Sequence, residues 1–355
     1  MTCHVDVLVI GLGPAGAAAA AAAAQAGLSV LGVDRRHEIG LPVQCAEFIP
    51  LPMGKYAKAD GVLLQRIKGM KSYLPSGSVA ETDFPGLMID RAAFDQALAH
   101  EAAAQGAELM LDSRLTKLDA AQSVAHIKTP AGAIAVSYKL LIAADGPHSP
   151  VAEALRLPEM EVVSTRQYTV PLKRAYVDTD IWLSPAYPGG YAWLFPKGNL
   201  ANLGLGLDKR FAGDMKAPLD ELHQQLMAQG LVGAEISYRT GGAIPVGGLR
   251  EHLVVGKVLF TGDAAGLTHP ITGAGIAAAV ISGERAGQAA VAWLKHNDGA
   301  ALEDFEEDIR DQFEVAISRA VERRRWLDKF WNTEEAHADP LHRKSWIAFP
   351  DYFTA

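Results

Sequence analysis

Three clusters of glycine and acidic residues stand out in this chain of 355 residues, because their spacing suits a phosphate-bearing ligand. The first is the turn Gly11-Leu-Gly13-Pro-Ala-Gly16, and Asp34 follows eighteen residues after its last glycine. In a dinucleotide fold the first glycine makes the turn, the second admits a pyrophosphate to the backbone, and the third lets helix pack on strand. The helix N-terminus attracts the phosphates, and the acid accepts from a ribose hydroxyl. This turn therefore predicts a dinucleotide-binding site.

The other two clusters indicate which dinucleotide binds. Asp145-Gly146 follows the apolar run "YKLLIAA", and Asp263 follows "KVLFTG" at the end of another buried strand. Residues 272–275 then open a helix, whose backbone amides can stabilise negative charge on an electron-accepting ring. A ligand that uses all three clusters has adenosine diphosphate at one end, a polyol in the middle and such a ring at the other. Only a flavin dinucleotide has that length and that polyol, so we predict FAD.

The elements around the first turn must bring it to the edge of a sheet. "VDVLVI" before the turn is short and β-branched, like a buried parallel strand, and the alanines from 17 to 24 favour a helix. A hydropathy scan would also offer a transmembrane helix or a signal peptide here. We reject both, because no lysine or arginine precedes the run and glycine and proline interrupt it near its start.

Further along, the chain changes character twice. Asp90 is a predicted N-cap of a helix, an antiparallel meander follows it, and strands rich in Tyr, Trp and Val run from about 162 to 207. We predict an α/β fold: a Rossmann-like FAD-binding domain with an inserted antiparallel-sheet substrate domain and a short helical C-terminal segment. The predicted bounds are 1–158 and 252–298 for the FAD-binding domain, 159–251 for the substrate domain and 299–355 for the C-terminal segment.

The composition argues against several classes of protein and binding site. The formal net charge of -8 argues against nucleic acid and against attraction to anionic lipid, so membrane contact is expected to be peripheral at most. With two cysteines and no cleavable signal, a cytoplasmic location is expected. No spacing typical of a metal site occurs. No second glycine fingerprint follows a strand, so we expect electrons from transiently bound NAD(P)H or from an electron-donor protein.

Several motifs together resemble known flavoproteins. The first turn with Asp34, "DRAAFDQAL", "AADG" and "GDAAGLTHPITGAGI" resemble flavoproteins of the para-hydroxybenzoate hydroxylase type. "PVQCAE" at 42–47 and "PGGYAWLFPKGNLANLGLG" at 188–206 resemble, more narrowly, the geranylgeranyl reductase family. The resemblance covers about residues 5 to 295 and implies noncovalently bound FAD. The predicted cofactor-binding residues are Gly11, Gly13, Pro14, Ala15, Gly16, Asp34, Arg35, Arg91, Asp145, Gly146, Gly262, Asp263, Pro270, Thr272, Gly273, Ala274 and Gly275.

Three residues are candidates for a catalytic role. His269 lies in the loop predicted to face the flavin ring and is an acid-base candidate, and Glu47 is a second one. Cys45 follows the second strand by about ten residues, where the chain would pass over the ring. Its thiol either contacts the substrate there or is a buried, reduced hydrophobe.

Two aromatic stretches allow alternative interpretations. Tyr191, Trp193 and Phe195 alternate along one predicted strand, and they form either the floor of a substrate pocket or part of the sheet core. "RRRWLDKFW" at 323–331 is either a patch for a membrane or a partner, or a solvated helix end.

Two chemistries on an apolar or aromatic substrate fit these features. The closer resemblance implies reduction of isoprenoid double bonds, with a hydride from the reduced flavin and a proton from a side chain. The wider superfamily implies hydroxylation of an electron-rich ring with O2. The C-terminal part is shorter than such reductases usually carry, so a hydroxylated substrate could be bulky, even a tryptophan side chain of a partner protein during cofactor maturation. A non-catalytic flavin-binding partner protein is the alternative from another class.

Overall fold

The computed structural model describes residues 2–211 and 213–354. The strands of these residues are β1 Thr2–Ile10, β2 Val30–Val33, β3 Phe48–Pro50, β4 Leu63–Ile67, β5 Met70–Tyr73, β6 Val79–Thr82, β7 Gly86–Ile89, β8 Glu108–Met110, β9 Arg114–Asp119, β10 Val124–Thr129, β11 Gly132–Ala143, β12 Val162–Pro171, β13 Thr179–Trp182, β14 Ala192–Lys197, β15 Leu200–Leu207, β16 Tyr238–Thr240, β17 Ala243–Pro245, β18 Val254–Val255 and β19 Val258–Phe260. The α-helices are α1 Pro14–Gln25, α2 Arg91–Ala104, α3 Pro150–Ala154, α4 Lys216–Ala228, α5 Ile276–Lys295, α6 Ala301–Leu327 and α7 Asp339–Ser345.

The first sheet is the Rossmann-like layer. Its path is β18-β19-β11-β1-β2-β8, and the five strands from β19 to β8 are parallel. β9 and β10 extend β11 as an antiparallel meander, as the sequence predicts. Val7, Leu8 and Val9 of β1 are fully buried. Parallel sheets are buried on both faces, which explains why these strands are continuous apolar runs.

The alanine run forms α1, which packs on the sheet and also against α5. A Cβ atom at Gly283 of α5 would lie 2.0 Å from the carbonyl oxygen of Ala15, and one at Gly287 would lie 2.6 Å from that of Ala19. Two helices approach this closely only where one presents glycine and the other presents side chains no larger than a methyl group. The alanines are thus explained by helix-helix contact as well as by the sheet. Within the described ranges, no helix has the length and the apolar character needed to cross a bilayer.

The second sheet is antiparallel over most of its width. Its path is β16-β12-β15-β14-β13-β5-β6, with β17 also paired to β12 and with β13 and β5 parallel. α4 packs on it through Leu219 and Leu226, which cluster with Leu203 and Leu205 of β15. β5 and β6 lie within residues 70–82, so part of the range predicted for the FAD-binding domain joins this sheet. β3, β7 and β4 form a third sheet.

The C-terminal part is helical, as predicted. The run at 323–331 is only partly solvated: Arg325 and Lys329 are exposed, whereas Arg324 and Trp331 are only 7% and 6% exposed. Arg324 donates hydrogen bonds to the carboxylate of Asp208 at 2.9 Å and to the carbonyl oxygen of Gly189 at 2.7 Å. The end of α6 is therefore anchored to the loops of the second sheet. The sequence pattern could not show this, since Asp208 lies more than a hundred residues away.

Candidate active site

The three predicted clusters lie along one edge of the first sheet. Ile10 at the end of β1 is in register with Ala143 of β11 and with Val33 of β2, and Ala143 is in register with Phe260 of β19. Because the strands are parallel, the turns after them leave the sheet side by side. In open α/β sheets this carboxyl edge is where ligands bind.

The glycine turn is closed by Asp34. The Oδ2 atom of Asp34 accepts from the backbone N of Leu12 at 2.7 Å, and the carboxylate is buried at the sheet edge. α1 begins at Pro14, with Ala15 and Gly16 in its first turn. A Cβ atom at Gly13 would meet no other atom within 4 Å. The turn thus leaves open space in front of the N-terminus of α1, where the backbone amides are unpaired.

Asp145 presents an unused acceptor at the same edge. Its Oδ2 accepts from the backbone N of Val151 at 3.0 Å, but its Oδ1 is buried and has no hydrogen-bond partner among the described residues. Burial raises the pKa of this carboxyl to about 6. Gly146 follows with a φ of 85°, in the left-handed region that favours glycine.

The third cluster is a loop that folds back on itself. Asp263 accepts from the Thr268 hydroxyl at 2.6 Å, and burial raises the pKa of the Asp263 carboxyl. The backbone N of Gly262 donates to the Ser282 hydroxyl of α5 at 3.0 Å. The loop then runs through Pro270, Thr272, Gly273, Ala274 and Gly275 to the start of α5.

His269 shapes this loop. Its Nδ1 atom accepts long hydrogen bonds from the backbone N atoms of Ile271 and Thr272, at 3.4 and 3.3 Å. Its backbone N and O atoms bond to Ala274 and Gly273, at 3.0 and 2.9 Å. Burial lowers the pKa of His269 to about 4, so the ring is neutral near pH 7 and Nδ1 is free to accept. This geometry favours a role in loop structure over the predicted acid-base role.

We expect acid to destabilise the protein through His269. Its pKa is lowered on folding, so its contribution to stability is present above about 6.5 and is lost as the pH falls towards 4. Replacement of His269 with Gln should flatten the dependence of the urea midpoint on pH between those limits. The exposed His100, replaced in the same way, serves as the control. This prediction would be contradicted if the urea midpoints of the His269 variant and of the wild type changed with pH to the same extent.

Arg91 does not extend towards open space. Its guanidinium forms a two-point ion pair with Asp95, at 2.7 and 3.0 Å, one turn along α2. Its backbone N donates to Oε1 of Glu47 at 2.9 Å. Arg35, after Asp34, is exposed. Arg35 thus lies at the surface next to Asp34, whereas Arg91 has a partner of its own.

Glu47 is fully paired. Besides the bond from Arg91, its Oε2 accepts from Lys197 of β14 at 2.5 Å and from the amide of Asn202 of β15 at 2.7 Å. Its side chain is 3% exposed. A carboxylate with both oxygens occupied joins the second sheet to α2, so the geometry favours a positioning role over acid-base chemistry. Lys197 and Asn202 were missed by the sequence reasoning, although a polar residue within the apolar run "LANLGLGL" was an available signal.

Cys45 lies next to this network. Its Sγ atom accepts from the backbone N of Glu47 at 3.2 Å, and burial raises the pKa of its thiol. Its carbonyl oxygen accepts from Gln167 at 3.0 Å, and Gln167 in turn accepts from the indole N of Trp193 at 3.1 Å. The thiol is thus protonated near pH 7 and only partly buried.

The aromatic residues of β14, with Tyr191 just before it, belong to a larger cluster. Trp193 is buried, whereas Tyr191 and Phe195 are partly buried beside it. The Tyr191 hydroxyl donates to the carbonyl oxygen of Thr272 at 2.5 Å, which joins the second sheet to the third cluster. Trp346 from beyond α7 packs against Tyr191, with 4.9 Å between ring centroids. This tail residue was not predicted at the site, because no local sequence pattern indicates where Trp346 packs.

Comparisons with known proteins decide the family. Residues 6–146 match the family model described as FAD dependent oxidoreductase, and residues 163–242 match the geranylgeranyl reductase catalytic domain. Over 335 residues the chain is 36% identical to digeranylgeranylglycerophospholipid reductase 1 of Methanopyrus kandleri, covering 88% of each chain. The chain belongs to the geranylgeranyl reductase family of FAD-dependent oxidoreductases.

Other members of the geranylgeranyl reductase family are similar. The digeranylgeranylglycerophospholipid reductase of Methanosarcina acetivorans is 35% identical over 325 residues, which cover 85% of this chain and 78% of that one. A crystal structure of a geranylgeranyl bacteriochlorophyll reductase-like protein from Thermoplasma acidophilum superposes with a TM-score of 0.84. Its sequence is 28% identical, and the alignment covers 97% of this chain and 92% of the other. The predicted resemblance and fold class are confirmed.

The edge of this geranylgeranyl reductase family member fits FAD in two respects. The space in front of Gly13 is free of protein atoms, as a pyrophosphate on the helix N-terminus requires. The unpartnered Oδ1 of Asp145 is open to a donor on a bound cofactor, and buried polar atoms in proteins are rarely left unpaired.

Proposed function

We propose that this enzyme saturates carbon-carbon double bonds of an isoprenoid lipid. The observation that carries the proposal is the 36% identity to a digeranylgeranylglycerophospholipid reductase along 88% of both chains. The match to the geranylgeranyl reductase catalytic domain covers residues 163–242, which contain most of the second sheet with Tyr191, Trp193 and Phe195. An apolar, aromatic wall beside the predicted flavin loop suits an isoprenoid chain.

FAD would be held by the residues of the sheet edge. In this proposal the turn from Gly11 to Gly16 binds the pyrophosphate, Asp34 binds the adenosine ribose, and Asp263 binds the ribityl chain. Residues 272–275 would lie against the pyrimidine edge of the ring. When bound, FAD supplies the hydride that the double bond receives. The residues of this chain bind and orient the two molecules and exclude water.

The proton for the second carbon must come from another group. Glu47 has both oxygens occupied, and His269 is neutral and accepts from backbone amides at Nδ1. Cys45 still carries its proton near pH 7, because burial raises the pKa of its thiol. We therefore propose that the thiol of Cys45, rather than Glu47 or His269, contacts the substrate and donates this proton, and that the thiolate left behind regains a proton from solvent. NAD(P)H is the proposed transient reductant, and the two unpaired cysteines suit the predicted cytoplasmic location.

The function is tested with the FAD-loaded enzyme under anaerobic conditions. The enzyme is reduced with NADPH, mixed with a geranylgeranyl lipid, and the product is analysed by mass spectrometry. A gain of two hydrogen atoms per double bond supports the proposal. A product that appears only with O2 and carries one added oxygen atom would instead identify a hydroxylase.

The role of Asp263 gives a further prediction. Replacement of Asp263 with Ala removes a charge-assisted hydrogen bond of about 1.5–3 kcal/mol to the ribityl chain, so the Kd for FAD should rise about tenfold to a hundredfold. The measurement is FAD binding to the apoprotein, followed by flavin fluorescence. Thr268→Val is the matched control, because it removes the hydrogen bond to Asp263 but leaves the carboxylate. Equal affinity in the Asp263 variant and the wild type would refute the assignment.

A further inference from the structure

The last residues of the chain return to the loop that is predicted to face the flavin. This C-terminal tail, residues 346–354, follows α7. Its side chains Trp346, Phe349 and Tyr352 are only 2%, 3% and 2% exposed. The end of a chain is usually poorly ordered unless contacts tie it down, so three buried rings identify the tail as a packed part of the fold.

Tyr352 contacts the predicted flavin loop, residues 269–275, through His269. The centroids of the two rings are 6.5 Å apart, which is within the range of attractive aromatic contacts. The His269 ring in turn accepts from the backbone N atoms of Ile271 and Thr272. A contact that fixes the His269 ring therefore also fixes the direction of these backbone groups.

Trp346 reaches the same loop by a second route. Its ring packs on Tyr191 with 4.9 Å between centroids, and the Tyr191 hydroxyl donates to the carbonyl oxygen of Thr272 at 2.5 Å. Ile271 also lies in the apolar cluster that contains Trp346. The tail is thus connected to the loop at two consecutive residues as well as at the histidine.

Polar contacts hold the tail to the C-terminal helices. Arg323 of α6 donates to the carbonyl oxygen of Tyr352 at 3.2 Å and also to that of Thr354. Arg343 of α7 pairs with Asp351 at 3.2 Å. The tail is therefore fixed by α6 and α7, and the flavin loop packs against a fixed segment.

We propose that Tyr352 is a positioning residue that, with the rest of the tail, sets the reduction potential of bound FAD. The flavin loop leads into α5, which begins at Ile276, and the first amides of a helix have no partner inside it. Amides held in a fixed direction stabilise negative charge on the reduced ring better than amides that must reorient. The tail holds the loop that directs these amides, so it favours reduced over oxidised FAD. The inference rests on the binding mode of FAD in the proposed function and does not depend on the substrate.

The test measures the midpoint potential of the FAD-loaded enzyme, by equilibration with a reference dye during stepwise anaerobic reduction. Tyr352→Leu removes the ring that packs on His269 and keeps an apolar side chain. The ratio of the affinities for reduced and oxidised FAD should fall about tenfold, which lowers the potential of a two-electron couple by about 30 mV. Tyr352→Phe is the matched control, because it keeps the ring and removes a hydroxyl that has no hydrogen-bond partner among the described residues. Its potential should equal that of the wild type.

A second variant leaves every aromatic ring in place. Arg323→Gln removes the hydrogen bonds between α6 and the tail, so it decides the question if the Tyr352→Leu protein does not fold. Its potential should also fall. Amide hydrogen exchange of residues 271–275 in the holoenzyme provides a second readout, and it should be faster in each variant that lowers the potential.

The outcomes separate this inference from the proposed function. An unchanged potential in a folded Tyr352→Leu enzyme overturns the inference, and so does an equal fall in Tyr352→Phe. The measurement needs FAD but no lipid. A lower potential in an enzyme that does not reduce a geranylgeranyl lipid supports the inference and refutes the proposed function. A lipid that is reduced by an enzyme whose potential the variants do not change refutes the inference alone.

Discussion

Replacement of Gly13 with Val should yield a folded protein that purifies without FAD. The protein around Gly13 tolerates a side chain, because a Cβ atom there would meet no atom within 4 Å. The same side chain would occupy the space proposed for the pyrophosphate and would keep it from the amides of α1. Loss of two or more charge-assisted hydrogen bonds, at about 1.5–3 kcal/mol each, lowers affinity by more than a hundredfold. The measurement is the ratio of flavin to protein absorbance after purification.

The control separates cofactor loss from misfolding. Gly299 also has open space around its Cβ position, but it is remote from the sheet edge in the turn before α6. The Gly299→Val variant should purify with the full flavin content. The Gly13→Val apoprotein should have the Tm of wild-type apoprotein. A Gly13→Val protein that still purifies with FAD would refute the assignment of the glycine turn to the pyrophosphate.

Replacement of Glu47 with Ala should destabilise the protein by about 3–5 kcal/mol. This is the expected cost when one partner of a buried ion pair is removed, because the other charge is left without compensation. Lys197 is the charge left behind, and its side chain is only 17% exposed. The backbone N of Arg91 also loses its acceptor at the start of α2. The measurement is the free energy of unfolding of the holoenzyme in urea.

Two comparisons make this prediction specific. Glu81→Ala breaks an ion pair with Lys71 in which Glu81 is 75% exposed, so a loss below about 1 kcal/mol is expected. Glu47→Gln keeps the shape and an acceptor, so it should keep measurable turnover. A Glu47→Gln enzyme that is stable but inactive would restore Glu47 as the acid-base residue and contradict the positioning role.

The sheet edge was predictable because its signals are local. A glycine turn between a β-branched strand and an alanine helix, with an acid at the end of the next strand, specifies its own geometry. The helix N-cap at Asp90 was predictable in the same way, and its side chain accepts a hydrogen bond from the backbone N of Ala93 and caps α2. The family was predictable for the same reason, since each of the motifs "YAWLFPK" and "GDAAG" is one continuous stretch of sequence.

The remaining part of the site depends on contacts between distant residues. Glu47 looked like a free carboxylate because Lys197 and Asn202, which neutralise it, are about 150 residues away. The run "RRRWLDKFW" looked like part of the surface because Asp208, which pairs with Arg324 of this run, lies in the predicted substrate domain. β5 pairs with β13 across about a hundred residues and brings β6 with it, and no local pattern distinguishes that partner from another strand. Tertiary packing decided each of these outcomes.

The contact between α1 and α5 has a consequence for how the chain is made. Gly283 and Gly287 are synthesised after about four-fifths of the 355 residues, yet they complete the packing of the first helix. On the ribosome, the alanine face of α1 therefore remains uncovered while the intervening strands emerge. Such late, non-local closure slows folding and exposes apolar surface to aggregation. We expect the nascent chain to need chaperone protection, and fragments that end before α5 to be insoluble.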